Sequence, residues 1–257
     1  MMLTDTHTHL YLPHFESDIE NVVARAREKG VKYMFMPNID TRSISGMMDL
    51  TAKFPGNCFP MMGLHPNSVN KDFDKDLSVV SSWLKKEKFA AIGETGIDLY
   101  RSKDSVHWQS QALSIQLKWA KDLDLPLVLH SRNSFEEVYE IVSKHADKNL
   151  RGVFHSFSGN ADQAKRAVEA GFMLGVNGVI TFKNTKLVKV LENVDLSNII
   201  LETDSPFLTP EPYRGRRNES SYIFYIAEKV AEIYSLSVEE VAEITTKNAF
   251  ELFNSIN

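Results

Sequence analysis

Leu3-Thr4-Asp5-Thr6-His7-Thr8-His9-Leu10 opens the chain and reads as a β-strand carrying two histidines two residues apart. Successive strand side chains point to opposite faces, so His7 and His9 share a face with Asp5. Two imidazoles at that spacing can hold one divalent cation. The competing reading is a chance pair, one histidine hydrogen-bonded and the other exposed. The rest of the chain decides between them, because residues of the same kind recur at the ends of later strands.

Working outward, Ser17-Asp18-Ile19-Glu20 has the capping-box pattern, with Ser17 as N-cap and Glu20 three residues on. Ile19, Val22, Val23 and Ala26 follow at helical spacing, and Gly30 closes the helix. Val31 to Met36 is a short apolar strand. A helix follows from about Ser43 to Phe54, broken by Pro55-Gly56. The alternation then repeats. Strands are expected at Cys58 to Leu64, Phe89 to Glu94, Pro126 to His130, Gly152 to His155, Phe172 to Val176 and Ile199 to Thr203. Helices between them are expected at Leu77 to Lys86, Ser105 to Leu123, Ser134 to His145, after Asn160 and at Thr185 to Leu191. A helical tail starts at Ser220, with a break near Ser235 to Ser237. The strands are continuous apolar runs, as in parallel sheets covered on both faces. Eight strand–helix units in about 250 residues favour a closed (β/α)8 TIM barrel of the α/β class. With no linker or low-complexity tract, residues 1–257 read as one domain.

Composition narrows the function. The formal net charge of -5 argues against a broad basic face for duplex nucleic acid, but leaves room for a local positive pocket. The single cysteine, Cys58, precludes an internal disulfide and reads as a small buried hydrophobe. No apolar stretch approaches the roughly 20 residues needed to span a bilayer. No signal peptide precedes the first strand, so no membrane association is expected and the cytoplasm is the default.

Active-site residues of such barrels sit at the C-terminal ends of the strands. Strand one ends with His7 and His9, strand three with His65, strand four with Glu94, strand five with His130, strand six with His155 and strand eight with Asp204. Five of the eight histidines therefore fall at one end of the barrel. His14, His107 and His145 fall in loops or helices and carry no assigned role. Each ligand has a plain alternative. His130 and His155 can be core histidines bonded to backbone, and Asp204 can be a turn former. Jointly, four histidines and two carboxylates on one mouth make a competent cage for two divalent cations (Mg, Mn or Zn). Glu94 can bridge two ions. Asp204 can bind a metal and also accept a proton from water. Such a pair stabilises both the attacking and the leaving oxygen of a phosphoryl displacement. Asp5 and Glu202 lie one layer deeper, where they can orient imidazoles or pair with a buried cation.

The set of stretches then resembles the TatD-family metal-dependent deoxyribonucleases, within the amidohydrolase-type barrels. The matching stretches are Asp5 to His9, Gly63-Leu64-His65-Pro66, Gly93 to Asp98, Leu129 to Arg132, His155 to Gly159, Leu201 to Pro206 and Pro212 to Glu219. The resemblance implies metal ligands at His7, His9, Glu94, His130, His155 and Asp204, with Glu94 and Asp204 catalytic. It implies hydrolysis of DNA phosphodiesters from a 3′ end.

Arginines near the mouth fit a phosphate substrate. Arg214, Arg216 and Arg217 follow strand eight, Arg132 follows His130, and Arg101 and Lys103 follow strand four. His65, Arg132, Arg214 and Arg216 are the expected substrate contacts. Tyr100, Tyr213 and Phe157 are candidates to stack on bases. Such a patch in an acidic protein suits single-stranded DNA or a 3′ end, bound by a monomer. Two other readings stay open. One is a metal hydrolase of a small-molecule ester, amide or phosphoester, and the other is a non-catalytic metal-binding protein.

Overall fold

The computed structural model describes residues 1–100, 103–145 and 149–253. Eight parallel strands alternate with helices. They are β1 (Leu3–Asp5), β2 (Val31–Pro37), β3 (Cys58–Met61), β4 (Ile92–Asp98), β5 (Leu127–Arg132), β6 (Gly152–Phe154), β7 (Phe172–Val176) and β8 (Ile199–Leu201). Ladders run β1-β2-β3 and β4-β5-β6-β7-β8. Two parallel bridges join these arcs, Met62 to Ile92 and Thr8 to Ser205. Backbone bonds continue each seam. Gly93 N–H donates to Met62 O at 3.0 Å, and Asp204 N–H donates to His7 O at 2.8 Å. The sheet closes into the expected barrel, because bonds spanning nearly the whole chain tie its first strand to its eighth.

The helices α1 (Ile19–Glu28), α2 (Ile44–Lys53), α3 (Phe73–Leu84), α4 (Val106–Leu123), α5 (Phe135–Lys144), α6 (Ala161–Glu169) and α7 (Leu187–Leu191) link the strands. The tail forms α8 (Ile223–Tyr234) and α9 (Val238–Leu252), and its last four residues lie outside the described part. Asn160 and Gln163 make a complete capping box on α6. Ser17 does not cap α1. The helix starts at Ile19, and the carboxylate of Asp18 at its N-cap position turns instead to Arg217 and Arg25. Helix α3 begins at Phe73, four residues earlier than the periodicity suggested.

Strand β4 also departs from its expected place, starting later and running to Asp98, so Glu94 lies inside the strand and not at its end. Two glycines allow this. A Cβ on Gly96, at φ +145°, would sit 2.0 Å from His130 O, and one on Gly93 would sit 2.7 Å from Val128 Cβ. With no side chain at these two positions, the strand can pass close to β5 through the irregularity in register between Ile92 and Thr95.

Strand alternation sets what faces inward. Phe35, Met61, Ala91, Val128, Val153 and Ile200 meet in one buried cluster, although they come from strands all around the barrel. They can meet only in its interior. Phe253, just after α9, closes the lower end by stacking on Phe35 with ring centroids 4.4 Å apart. Two residues beyond Val128, Val153 and Ile200 come His130, His155 and Glu202. A period of two thus turns a dry interior into a polar upper rim.

Candidate metal centre

At that rim His7 and His9 follow β1, Glu94 lies in β4, His130 in β5, and His155 and Asp204 follow β6 and β8. Glu94 is the hub. Its Oε2 faces His7 Nε2 at 3.1 Å and His9 Nε2 at 3.9 Å. Its Oε1 faces His130 Nδ1 at 2.6 Å, His65 Nε2 at 3.5 Å and His155 Nε2 at 3.8 Å. Asp204 Oδ1 lies 3.5 Å from His9 Nε2, 3.8 Å from His7 Nε2 and 3.9 Å from His155 Nε2. Ligand-type atoms fall into three groups within metal-binding reach: His7–His155–Asp204, His7–His9–Glu94 and His65–Glu94–His130. Every residue expected to bind metal is in this cluster.

The tautomers show which nitrogens are free for an ion. Tyr11 Oη donates to Pro37 O at 2.5 Å, so it accepts from His9 Nδ1 at 3.0 Å. That leaves the Nε2 lone pair of His9 facing the two carboxylates. Both ring nitrogens of His7 are buried with no aligned hydrogen-bond partner. Leaving such groups unsatisfied is costly, and a cation at Nε2 would satisfy one of them. His65 differs, because its Nδ1 accepts the Asn67 N–H at 3.0 Å. The neutral ring must then carry its proton on Nε2 and present a donor to the centre.

Burial opposes ionisation of Glu94, but the surrounding imidazoles of His65, His7 and His155 and the hydrogen bond from His130 outweigh it. They hold the carboxyl well below its usual range. Asp204 is likewise lowered, burial being outweighed by the imidazoles of His9, His155 and His7 gathered around it. Both stay ionised at neutral pH. His7 is lowered by burial and by the neighbouring His155, whose ring stacks on it at 3.4 Å. His130 rises to about 9 against burial, because it bonds Asp98 and Glu94. Glu94, Asp204 and His7 are thus already in the deprotonated forms that bind a cation, and His130 would give up a proton to join them.

Support comes from residues the sequence did and did not reveal. Asp98, in the Gly93 to Asp98 motif but given no role there, takes His130 Nε2 at 3.0 Å and Asn67 Nδ2 at 3.1 Å. Its position at the upper end of β4 was the available signal. Glu202 Oε1 accepts from Ser156 N–H at 2.7 Å and lies 2.9 Å from His155 Nδ1, a charge contact outside hydrogen-bond alignment. Gly175 makes the room, since a Cβ there would lie 2.4 Å from Glu202 Oε2. Glu202→Gln removes the charge behind His155 and is expected to weaken metal affinity roughly 10- to 100-fold, read by competition with a chelating dye. Asp5 orients no imidazole. It accepts from Thr203 N–H at 2.8 Å and Thr203 Oγ1 at 2.7 Å, tying the end of β1 to that of β8.

The expected substrate contacts divide. Arg132 is exposed and lies over the Tyr100 ring, 3.9 Å from its centroid. Arg214 and Arg216 are exposed and lie over Phe182 and Tyr213 at 4.2 and 5.7 Å. Arg217 is committed elsewhere, to Asp18 at 2.7 and 2.8 Å. Lys103 is exposed, and Arg101 lies outside the described residues. Of the candidate stacking rings, Phe157 is buried and Tyr213 is stacked on Tyr222 at 4.5 Å, leaving Tyr100. Beside His155 a cavity of about 410 Å³ opens between Ser131, Asn133, Phe157 and Gln163.

The sequence pattern described as TatD related DNase matches residues 4–254. The chain is 35% identical to the "Uncharacterized metal-dependent hydrolase YabD" of Bacillus subtilis, over 98% of this chain and 99% of that one. It is 33% identical to the Mus musculus protein named "Putative deoxyribonuclease TATDN3", over 98% of this chain and 88% of that one. The crystal structure of the Escherichia coli TatD homologue YjjV superposes with a TM-score of 0.90 at 30% identity, covering 98% of both chains. With this barrel and this rim of histidines and carboxylates, the chain belongs to the TatD family of metal-dependent hydrolases.

Proposed function

We propose that this chain is a deoxyribonuclease that removes nucleotides from the 3′ end of single-stranded DNA, using two divalent cations (Mg, Mn or Zn). One observation carries the reading. Glu94 turns one carboxylate oxygen toward His7 and His9 and the other toward His130 and His155, the arrangement of a bridging ligand between two ion positions. His7, His9 and Asp204 would hold one ion, His130 and His155 the other. When bound, the ions lower the pKa of a water and draw charge from phosphoryl oxygens. Asp204, ionised among its histidines, accepts the proton of the attacking water. His65 presents its Nε2–H to a non-bridging phosphate oxygen. Arg132 grips a neighbouring phosphate while its partner Tyr100 keeps one ring face open. The cavity beside His155 falls in the range of roughly 300–1,000 Å³ typical of small-ligand sites, room for one nucleotide.

The name of the mouse relative and the description of the family favour DNA over a small ester or amide. The six residues that would hold the ions all belong to this chain, and the protein is proposed to act as a monomer. The lone, buried Cys58 suits a reducing compartment such as the cytoplasm. Among the described residues, no helix is long and apolar enough to cross a membrane. The test is end-labelled single-stranded DNA with Mg or Mn. Stepwise shortening from the 3′ end is the expected result. Intact DNA alongside turnover of small esters or amides would overturn the reading.

A further inference from the structure

Among the described residues only two aromatic side chains of the Phe, Tyr and Trp type are exposed, Tyr100 and Phe207. Both follow strands at the metal-bearing end of the barrel, β4 and β8. Phe207 is 46% exposed. Leaving a phenyl ring in water is unfavourable, and the local backbone has been shaped to hold it there. Asp204 and Leu208, on either side, both adopt positive φ, at 56° and 50°. Such conformations are unfavourable in residues other than glycine and persist where the surroundings enforce them. Here the surroundings do. Phe207 N–H donates to Asp204 O at 2.9 Å. The Asn218 side-chain amide donates to Phe207 O at 2.6 Å and to Thr203 O at 2.8 Å. A Cβ on Gly178 would lie 2.0 Å from Leu208 O, so this loop is packed closely against the turn after β7 as well.

The ring's own contacts are steeply tilted. His9 lies at 6.2 Å and 63°, and His14 at 6.1 Å and 73°. Neither covers the phenyl face flat. Phe207 is therefore a rigidly mounted aromatic surface, three residues from Asp204 and beside His9, on the side of the centre opposite the Tyr100–Arg132 pair.

We propose that Phe207 is a specificity-determining contact on which the base of the departing terminal nucleotide stacks. The proposal rests on the deoxyribonuclease reading above and names the part of the substrate that this rim recognises. Every base has a π-face, so such a contact would favour nucleotides over other phosphodiesters without choosing among sequences. His14 supplies the edge of the platform. The fixed turn from Asp204 to Leu208 sets the distance between the stacked base and the reacting phosphate.

The experiment compares two oligonucleotides with the full-length, metal-loaded protein, one normal and one with an abasic terminal nucleotide. For the wild type, losing the base should raise KM about 5- to 150-fold, the worth of one base stack at tenfold per 1.4 kcal/mol. Phe207→Ala should raise KM on normal DNA by a similar factor, leave kcat within about twofold, and make the two substrates equivalent. Phe207→Trp should restore discrimination. Unchanged KM in Phe207→Ala on normal DNA would overturn the proposal. So would an equal loss on both substrates, or a loss confined to kcat. Wild-type protein that leaves both oligonucleotides intact would overturn the deoxyribonuclease reading itself, and this contact with it.

Discussion

Asp204→Asn is expected to lower kcat on DNA by roughly 10²- to 10⁴-fold, the loss typical of removing a positioned general base. The fold should survive. Asparagine is nearly isosteric and is among the residues that tolerate positive φ, here 56°. The backbone bonds of residue 204, from its N–H to His7 O and from Phe207 N–H to its carbonyl, do not involve the side chain. What disappears is the ionised oxygen that His9, His7 and His155 surround. A carboxamide neither takes a proton from water at neutral pH nor neutralises a cation. Steady-state rates under saturating Mn, with a melting curve on the same preparation, check this. Full activity in the variant would remove Asp204 from the mechanism.

Glu94→Gln should have the largest effect on metal content. Each carboxylate oxygen faces a different set of imidazoles, so the residue serves both halves of the centre. Glutamine keeps one acceptor oxygen and turns an NH₂ toward the other set, where a lone pair is needed. Bound metal should fall from two ions per chain to at most one. Activity should fall by more than the roughly 10- to 100-fold expected for a residue that merely supports a ligand. Elemental analysis after gel filtration reads the stoichiometry. Retention of two ions would mean that Glu94 bridges nothing.

Much of this was legible in the sequence because barrel geometry converts strand parity into position. Val128 and His130, Val153 and His155, and Ile200 and Glu202 are pairs two apart, so an apolar run ending in a histidine or carboxylate announces an inward-facing polar residue at the rim. What stayed hidden depends on contacts between distant segments. Ser17 is no cap because α1 starts one residue too late for it, and Asp18 at the N-cap position is claimed by Arg217, 199 residues away. That same pairing removes Arg217 from the patch of free arginines. Asp5 has the strand position of a partner for an imidazole, but Thr203 claims it from across the barrel seam. Asp98 reaches His130 only because two glycines let β4 run on past Glu94. Phe207, in Ser205-Pro206-Phe207, looks like any loop aromatic until its exposure and its pinned backbone are seen.

The most direct test is anomalous diffraction from crystals equilibrated with Mn. The account predicts two peaks about 3.5–4 Å apart, one beside Glu94 Oε2 with His7 and His9, the other beside Glu94 Oε1 with His130 and His155. A rim without peaks under saturating metal, or a single ion seated away from Glu94, would contradict it.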